Sequence, residues 1–399
     1  MKTPTNFSPH TPPPMAHPGP RVNRWRGEEH VPESAATPEG RPGLASLVRQ
    51  LGWGEDFHRD RRTGEPTGIR ARGVPSAGAC YPVQWHLLCG SGFDLPAGCY
   101  TLHPETGAFI RRGGSESGLP PACARVVLTV LPRRTAARYH HRSPAVLIGD
   151  AAYAFELLTA GTRGLGLAGR ALTGTADELA EQALLPAPDR WEDLWPGSAV
   201  EIPMIGLEVR SPQAEPSVPA DAAGGRPAGC AGPLGPATPT PEFIPGVREL
   251  GVDRPRPAPA DAGISLTTGQ LARRRSPEVQ ALIAVAGTGE PGARGLPTEE
   301  GTAREKTPDP EQAGLGRWCS GQEWVEHATD LTLFRGPDDP AALWEIHRAA
   351  ARQLVRLLAV GRNARPISGW VHGGPHGPIC HGLTAEAAPA PPRAQEQHP

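Results

Sequence analysis

The sequence has few aromatic residues, no hydrophobic run of membrane length and no imbalance of charge. Phe, Trp and Tyr make up 5% of its 399 residues, while Gly and Pro contribute 49 each. That composition supports a core smaller than the chain length, with linkers around it. No apolar stretch approaches the roughly 20 residues that cross a bilayer. Met1 to Pro20 is proline-rich and lacks the apolar centre of a secretory signal, so a cytoplasmic location is expected. The 40 basic and 42 acidic residues give a net charge of −2. No basic field exists to hold nucleic acid, so neither nucleic acid nor membrane is an expected partner. The cysteines, Cys80, Cys89, Cys99, Cys123, Cys230, Cys319 and Cys380, include no C-x-x-C pair. An odd, scattered set reads as reduced thiols, not as a disulfide framework or a structural zinc site.

Along the chain, residues 1–41 are expected to be disordered. Gly43 to Trp53 has the spacing of an amphipathic helix, with Leu44, Leu47, Val48 and Leu51 on one face. Glu55 to Arg72 is charged and loop-like. From Val74 to Arg210 strand-like and helix-like segments alternate, which makes 42–210 one α+β unit. The Pro/Ala/Gly tract 211–262 lacks periodicity and reads as a linker. A second unit, 263–383, has a helix predicted over Thr268 to Ala286 and helical turns at Gln322 to Ala328. It continues with a strand at Leu331 to Phe334, a long helix over Pro340 to Val360 and a strand at Pro366 to Val371. Residues 384–399 read as a disordered tail. The second unit repeats the first unit's order of helix, strand, long small-residue helix and closing strand, as a degenerate copy.

Several groups could carry chemistry. Pro75-Ser76-Ala77-Gly78 precedes the strand-like Val83 to Leu88. Such a turn presents backbone N–H groups, a hydroxyl and little bulk, which suits the edge of a flat, oxygen-rich ligand; by itself it is a turn before a strand. Arg273-Arg274-Arg275-Ser276 offers guanidiniums and a hydroxyl that clamp a phosphate or form a solvated basic turn. Arg138-Tyr139-His140-His141-Arg142 leads into a long small-residue helix. A phenol acts as a base only where a cation stabilises the phenolate. Arg138 supplies that charge and cannot itself be a neutral base, so Tyr139 is the candidate for proton transfer. His140 and His141 are spare bases, and the alternative is a surface loop with an anchoring tyrosine. His372, His376, Cys380 and His381 cluster near the end of the chain. The intervening glycines and prolines forbid a helix that would align them, so no metal site is expected. Gly164-Leu165-Gly166-Leu167 follows a helix and not a strand, which excludes a dinucleotide-binding loop. Trp318, Trp324, Trp344 and Trp370 read as core or interface aromatics.

In this order, the Pro-Ser turn, the strands at Val83 to Leu88, Ala97 to Pro104 and Arg125 to Leu131, and the Arg138-Tyr139-x-x-Arg142 motif resemble the flavin-dependent nitroreductase superfamily. The nearest branch is the azoline dehydrogenases that make thiazoles and oxazoles in ribosomal peptides. The resemblance covers residues 43–210, and 263–383 more weakly. It implies an α+β fold, a mixed sheet flanked by helices, in two fused units that form a pseudo-dimer. In the superfamily the turn and the phosphate clamp come from opposite protomers. The resemblance thus implies one FMN held by Arg72, Pro75, Ser76, Ala77, Gly78 and Arg142 of the first unit and by Arg273, Arg275 and Ser276 of the second. It also implies catalytic roles for Tyr139, Arg138 and His140. The family motif has Lys where Arg138 stands, and relatives often show Gly-His at Gly149-Asp150.

The expected function is FMN-dependent oxidation of azoline rings to azoles in a modified precursor peptide. The expected partners are a cyclodehydratase or other peptide-modifying subunits, with a homodimer as a further possibility. The alternatives are an NAD(P)H-dependent nitroreductase and a flavin-free scaffold of a peptide-modifying complex.

Overall fold

The computed structural model describes residues 23, 25, 27–32, 43–60, 63–112, 117–139, 142–186, 190–191, 199–212, 264–277, 282, 314–319, 321–328, 330–337, 340–368, 370 and 379–386. The predicted linker beyond Pro212, most of 1–41 and the tail beyond Glu386 lie outside these residues.

The first unit is built from β1 (Glu29–His30), α1 (Leu44–Gly52), β2 (Phe57–Arg59), β3 (Pro66–Arg70), β4 (Val83–Cys89), β5 (Gly98–Leu102), β6 (Phe109–Arg111), β7 (Cys123–Val130), α2 (Pro132–Tyr139), α3 (Ser143–Gly164), β8 (Ala168–Leu172), α4 (Ala176–Gln182) and β9 (Ile202–Arg210). Seven strands form one sheet in the order β1-β6-β5-β4-β7-β9-β8. A mixed sheet was expected, but every described pairing is antiparallel. Segment 55–72, expected as a loop, instead folds back as the β2–β3 hairpin, with Phe57 opposite Arg70.

Helix α1 buries Leu44, Leu47, Val48 and Leu51 as its spacing predicts. Helix α3 is apolar almost all round and is enclosed from Val146 to Thr162, as expected of a helix with neighbours on every side. It ends on Gly166 at φ 72°, with the Leu167 N–H reaching back to the Thr162 carbonyl at 3.0 Å. This is the six-residue closure of a Schellman cap.

The second unit contains α5 (Thr268–Ala272), α6 (Leu315–Trp318), β10 (Leu331–Arg335), α7 (Pro340–Ala359), β11 (Ala364–Ile367) and β12 (Ile379–Ala385). It repeats part of the first. Strands β10-β12-β11 follow the same spatial order as β7-β9-β8. Helix α7 closes as α3 does, with Gly361 at φ 77° and the Arg362 N–H on the Leu357 carbonyl at 2.9 Å. Ile367 faces Gly382 across the β11–β12 pair as Leu172 faces Gly206 across β8–β9. Few residues recur at matched positions, Gly166 and Gly361 and the Gly-Leu pairs at 206–207 and 382–383 among them, so the repeat shows in the order of elements and not in the residues.

Three boundaries moved. The helix predicted over Thr268 to Ala286 ends at Ala272. A Thr267/Gln270 capping box starts it, and Pro277 disfavours helical geometry at Ser276. The Cys380-His381 stretch, read as loop, lies in β12, which also takes in Thr384 and Ala385 from the predicted tail. Part of the 1–41 segment belongs to the fold: β1 lines the sheet edge against β6. The Asn23 amide donates 2.7 Å to Glu201 Oε1. Glu201 is also bound by His86 at 2.6 Å and by Thr129 at 2.5 Å. The buried carboxylate is thus matched on several sides. Burial alone would raise it, yet His86 and these donors hold it below the usual carboxylate range.

The two units meet along α3 and α7, where Gly149 lies against His347 and Glu156 pairs with Arg348. At the end of α3 the chain of the second unit crosses in close contact. A Cβ on Gly164 would lie 2.1 Å from the Leu266 carbonyl oxygen, next to the 3.0 Å bond from the Leu266 N–H to the Ala160 carbonyl. Backbone cannot yield there as a side chain can. Gly164→Ala is therefore expected to cost about 1–3 kcal/mol, read as a lower thermal midpoint. An unchanged midpoint would show that this crossing is loose.

Candidate functional site at the junction of the two units

The Pro-Ser turn is held in an unfavourable backbone shape. Ala79 and Tyr81 have φ of 55° and 48°, left-handed values that cost non-glycine residues of order 1–3 kcal/mol each. The compensation is local. Ser76 Oγ accepts the Tyr81 N–H at 2.8 Å. Arg72 lies over the Tyr81 ring at 4.6 Å and donates to its carbonyl at 3.5 Å. His58 of the β2–β3 hairpin shares a 2.6 Å hydrogen bond with the Tyr81 hydroxyl. Arg72 thus supports the turn through Tyr81.

Asp150, on α3, completes the turn from below. Its Oδ2 accepts the Ser76 hydroxyl at 2.5 Å and its Oδ1 accepts the Ala77 N–H at 3.1 Å. No cation pairs with it among the described residues. Burial therefore dominates and pushes its carboxyl up to about 7, against the two hydrogen bonds. Ser76 and Ala77 were expected to donate to a flavin; here both are engaged by Asp150 and serve first to shape the turn.

Arg138 and Tyr139, at the end of α2, close over the exposed Gly78. A Cβ on Gly78 would lie 2.5 Å from both Arg138 Nε and the Tyr139 hydroxyl. Only glycine lets the pair come this close, and at φ 55° only glycine is unstrained. Burial pushes Tyr139 up to about 12, with Cys80 and Asp150 adding to it, and Arg138 and Arg142 only partly oppose the shift. Tyr139 is thus a neutral hydrogen-bond donor at physiological pH. Arg142 lies 5.9 Å from the Tyr139 ring. His140 and His141 lie outside the described residues.

From the second unit, the basic run after α5 divides by direction. Arg273 and Ser276 are exposed. Arg275 is also exposed, and pairs with Glu386 at 3.1 Å. Arg274, which carried no separate expectation, turns towards the first unit. Its Nε is shut off from solvent without a hydrogen-bond partner. Burial pulls its guanidinium down to about 10, and the fields of Tyr81 and Tyr153 work against that shift. One sequence signal could have found it. Arg274 stands three residues after the buried Leu271, to whose carbonyl its N–H bonds at 3.1 Å, and so shares that residue's side of the turn. Beside it, the Tyr153 hydroxyl and His381 Nε2 are 2.9 Å apart, and the His381 and His347 rings are separated by 4.8 Å. Burial pushes His347 down to about 4 and holds His381 well below the usual histidine range, so both imidazoles are neutral. Among the described residues no cluster suited to a metal ion is present; His372 and His376 lie outside them.

No protein-family model and no curated protein matches this sequence. Among solved structures, a protein described as a candidate nitroreductase from Anabaena variabilis superposes over 93% of this chain and 94% of its own, with a TM-score of 0.56 and 14% identity. The chain has the nitroreductase fold. Two shorter matches have TM-scores of 0.30. One is to a chain of the E. coli microcin synthetase McbBCD complex with truncated pro-MccB17 bound, at 14% identity over 52% of this chain and 77% of that one. The other is to a candidate nitroreductase from Ralstonia eutropha, at 15% identity over 52% of this chain and all of that one.

Within the nitroreductase fold, the junction suits a flavin mononucleotide in one specific respect. Arg274 is half-buried: its Nε is shut off from solvent without a partner, while its outer nitrogen donates to Ser276 Oγ at 3.5 Å; a phosphate or ring carbonyl would satisfy the Nε. Among the described residues no helix is long and apolar enough to cross a membrane.

Proposed function

We propose that this chain is an FMN-dependent oxidoreductase of the azoline dehydrogenase type, with a modified precursor peptide as substrate and a cyclodehydratase or related subunit as partner. The observation that carries the reading is Arg274 of the second unit, whose Nε is buried without a hydrogen-bond partner and which faces Tyr81 after the Pro-Ser turn and Tyr153 on α3 of the first. Arg274, with Arg273, Arg275 and Ser276 at the rim, would hold the cofactor's anionic end. The strained turn would face its ring, and Arg72 and Arg142 would support that wall. When bound, flavin supplies the hydride acceptor. The chain's own part is to orient the azoline ring, to exclude water and to move a proton. Tyr139 acts here as a donor to the ring, with Arg138 as the adjacent charge. One observation favours the flavin-free scaffold instead: the Ser76 and Ala77 donors are already engaged by Asp150.

The visible absorption spectrum of the purified full chain, with the released chromophore identified by mass, separates the two. Flavin bands and the mass of FMN are expected. A colourless protein that does not take up added FMN would leave the scaffold reading.

A further inference from the structure

We propose that Ser76 and Asp150 form the proton acceptor of this site, with the Ser76 hydroxyl at the contact position and the Asp150 carboxyl behind it. The inference rests on the reading of the chain as a flavin dehydrogenase. Asp150 acts through Ser76 and is in that sense a positioning residue.

The geometry supports the pairing. The Ser76 hydroxyl donates 2.5 Å to Asp150 Oδ2. One lone pair of Ser76 Oγ takes the Tyr81 N–H, and the second remains. Ser76 is half-buried beside the exposed Gly78, on the turn that Tyr139 overhangs. A substrate ring lying against the turn would reach this oxygen. The Ala77 N–H on Oδ1 fixes the carboxyl, so it cannot swing away from the serine.

The neighbouring groups leave Asp150 as the one that titrates near neutrality. Tyr81 on the turn, Tyr139 on α2 and Tyr153 on α3 feel its charge, and Cys80, Arg138 and Arg142 in turn surround Tyr139. From the second unit come Arg274 and, against the adjacent Gly149, His347. Tyr139 and Tyr153 are pushed upward by burial and stay protonated. His347 is pushed down and stays neutral. Asp150, at about 7, can both accept and release a proton under ordinary conditions.

The step balances. One ring carbon of the azoline gives its hydrogen as a proton to Ser76 Oγ, while the serine's own proton passes to Asp150. The electron pair left behind forms the new ring double bond. The hydrogen on the adjacent carbon leaves as hydride to an oxidised flavin. Ser76 ends as it began, and Asp150 carries the proton until solvent takes it.

The test has one arm without cofactor and one with it. Asp150 holds its proton more tightly folded than unfolded. The stability it contributes is therefore present at low pH and is lost as pH rises from about 4 through about 7. The thermal midpoint of Asp150→Asn is expected to rise relative to wild type across that window and to run parallel above it. In the second arm, flavin reduction is followed in a single turnover of the FMN-loaded full chain with a synthetic thiazoline-4-carboxamide. Asp150→Asn and Ser76→Ala are each expected to slow reduction by about 100-fold or more and to remove the limb near pH 7. Tyr139→Phe is expected to slow it while keeping that limb. If Asp150→Asn does not fold, Ser76→Ala carries the same kinetic test. A variant at Asp150 or Ser76 that reduces flavin at the wild-type rate with the same limb overturns the dyad alone. A wild type that holds no FMN overturns both the dyad and the dehydrogenase reading. Parallel midpoints across the window would show that Asp150 does not titrate there, and would also overturn the dyad.

Discussion

Arg348→Ala is expected to lower stability by roughly 3–5 kcal/mol, the size found when one partner of a buried ion pair is removed. Arg348 is 1% exposed. Its Nε donates 2.6 Å to Glu156 Oε1, and its guanidinium lies 5.5 Å from the Phe155 ring. Truncation would strand the Glu156 carboxylate at the α3–α7 seam. The nearest remaining cation is Arg352, at 3.9 Å. The side chain's packing would go as well. For a chain of this size the thermal midpoint should fall by about 5–10 °C. The paired replacement Glu156→Leu with Arg348→Met removes both charges and fills the space, and should recover most of the loss. If the single and double variants were equally unstable, the effect would come from packing and not from the charge. The same helices carry the site: Asp150 and Tyr153 lie on α3, and His347 lies one residue before Arg348. A seam that slips by a fraction of a turn would move Arg274 away from Tyr81 and Tyr153, so Arg348→Ala should also weaken flavin retention in the fraction that stays folded.

What the sequence disclosed followed from how local each signal was. The α1 stripe, the β4 run and the long α3 and α7 helices were legible because each writes its own period or apolar run into consecutive residues. The β2–β3 hairpin was not, because its strands are short and half-exposed, and its charged residues read as loop. Strand β12 was hidden behind the Gly- and Pro-rich segment before it. The repeat itself was visible only as an order of elements; the sheet orders β7-β9-β8 and β10-β12-β11 made it explicit. In the site, residue types were legible and directions were not. Arg274 of the arginine run faces Tyr81 beside the Pro-Ser turn, while Tyr139 packs over Gly78. Which arginine turns inward depends on a helix end that Pro277 sets, and whether Tyr139 ionises depends on burial that no local motif records. Asp150 stood out only as a departure from a family pattern. Its partner is 74 residues away in sequence, a distance over which no local signal acts.

The direction of Arg274 leads to the second large effect. Arg274→Ala is expected to weaken FMN binding by about 10–100-fold, and Arg275→Ala by only a few-fold, as read by fluorescence titration of the full chain with FMN. A charge-assisted hydrogen bond is worth about 1.5–3 kcal/mol, and each 1.4 kcal/mol is about tenfold in affinity. Arg274 can deliver most of that because its Nε is already desolvated and without a partner, and the bond from its outer nitrogen to Ser276 Oγ is long at 3.5 Å. Arg275 is different. It is exposed and engaged with Glu386, and an exposed cation gives back little when it is screened by water and a nearby carboxylate. Arg274→Lys keeps the charge but loses the planar fork, and should fall between wild type and alanine. Inorganic phosphate as competitor separates the two ends of the cofactor. If Arg274 holds the phosphate, competition by phosphate should weaken in Arg274→Ala. If it holds a ring carbonyl, competition should be unchanged while FMN affinity still falls. A larger loss from Arg275→Ala than from Arg274→Ala would place the anion at the rim of the second unit, and the junction between the units would no longer be the site.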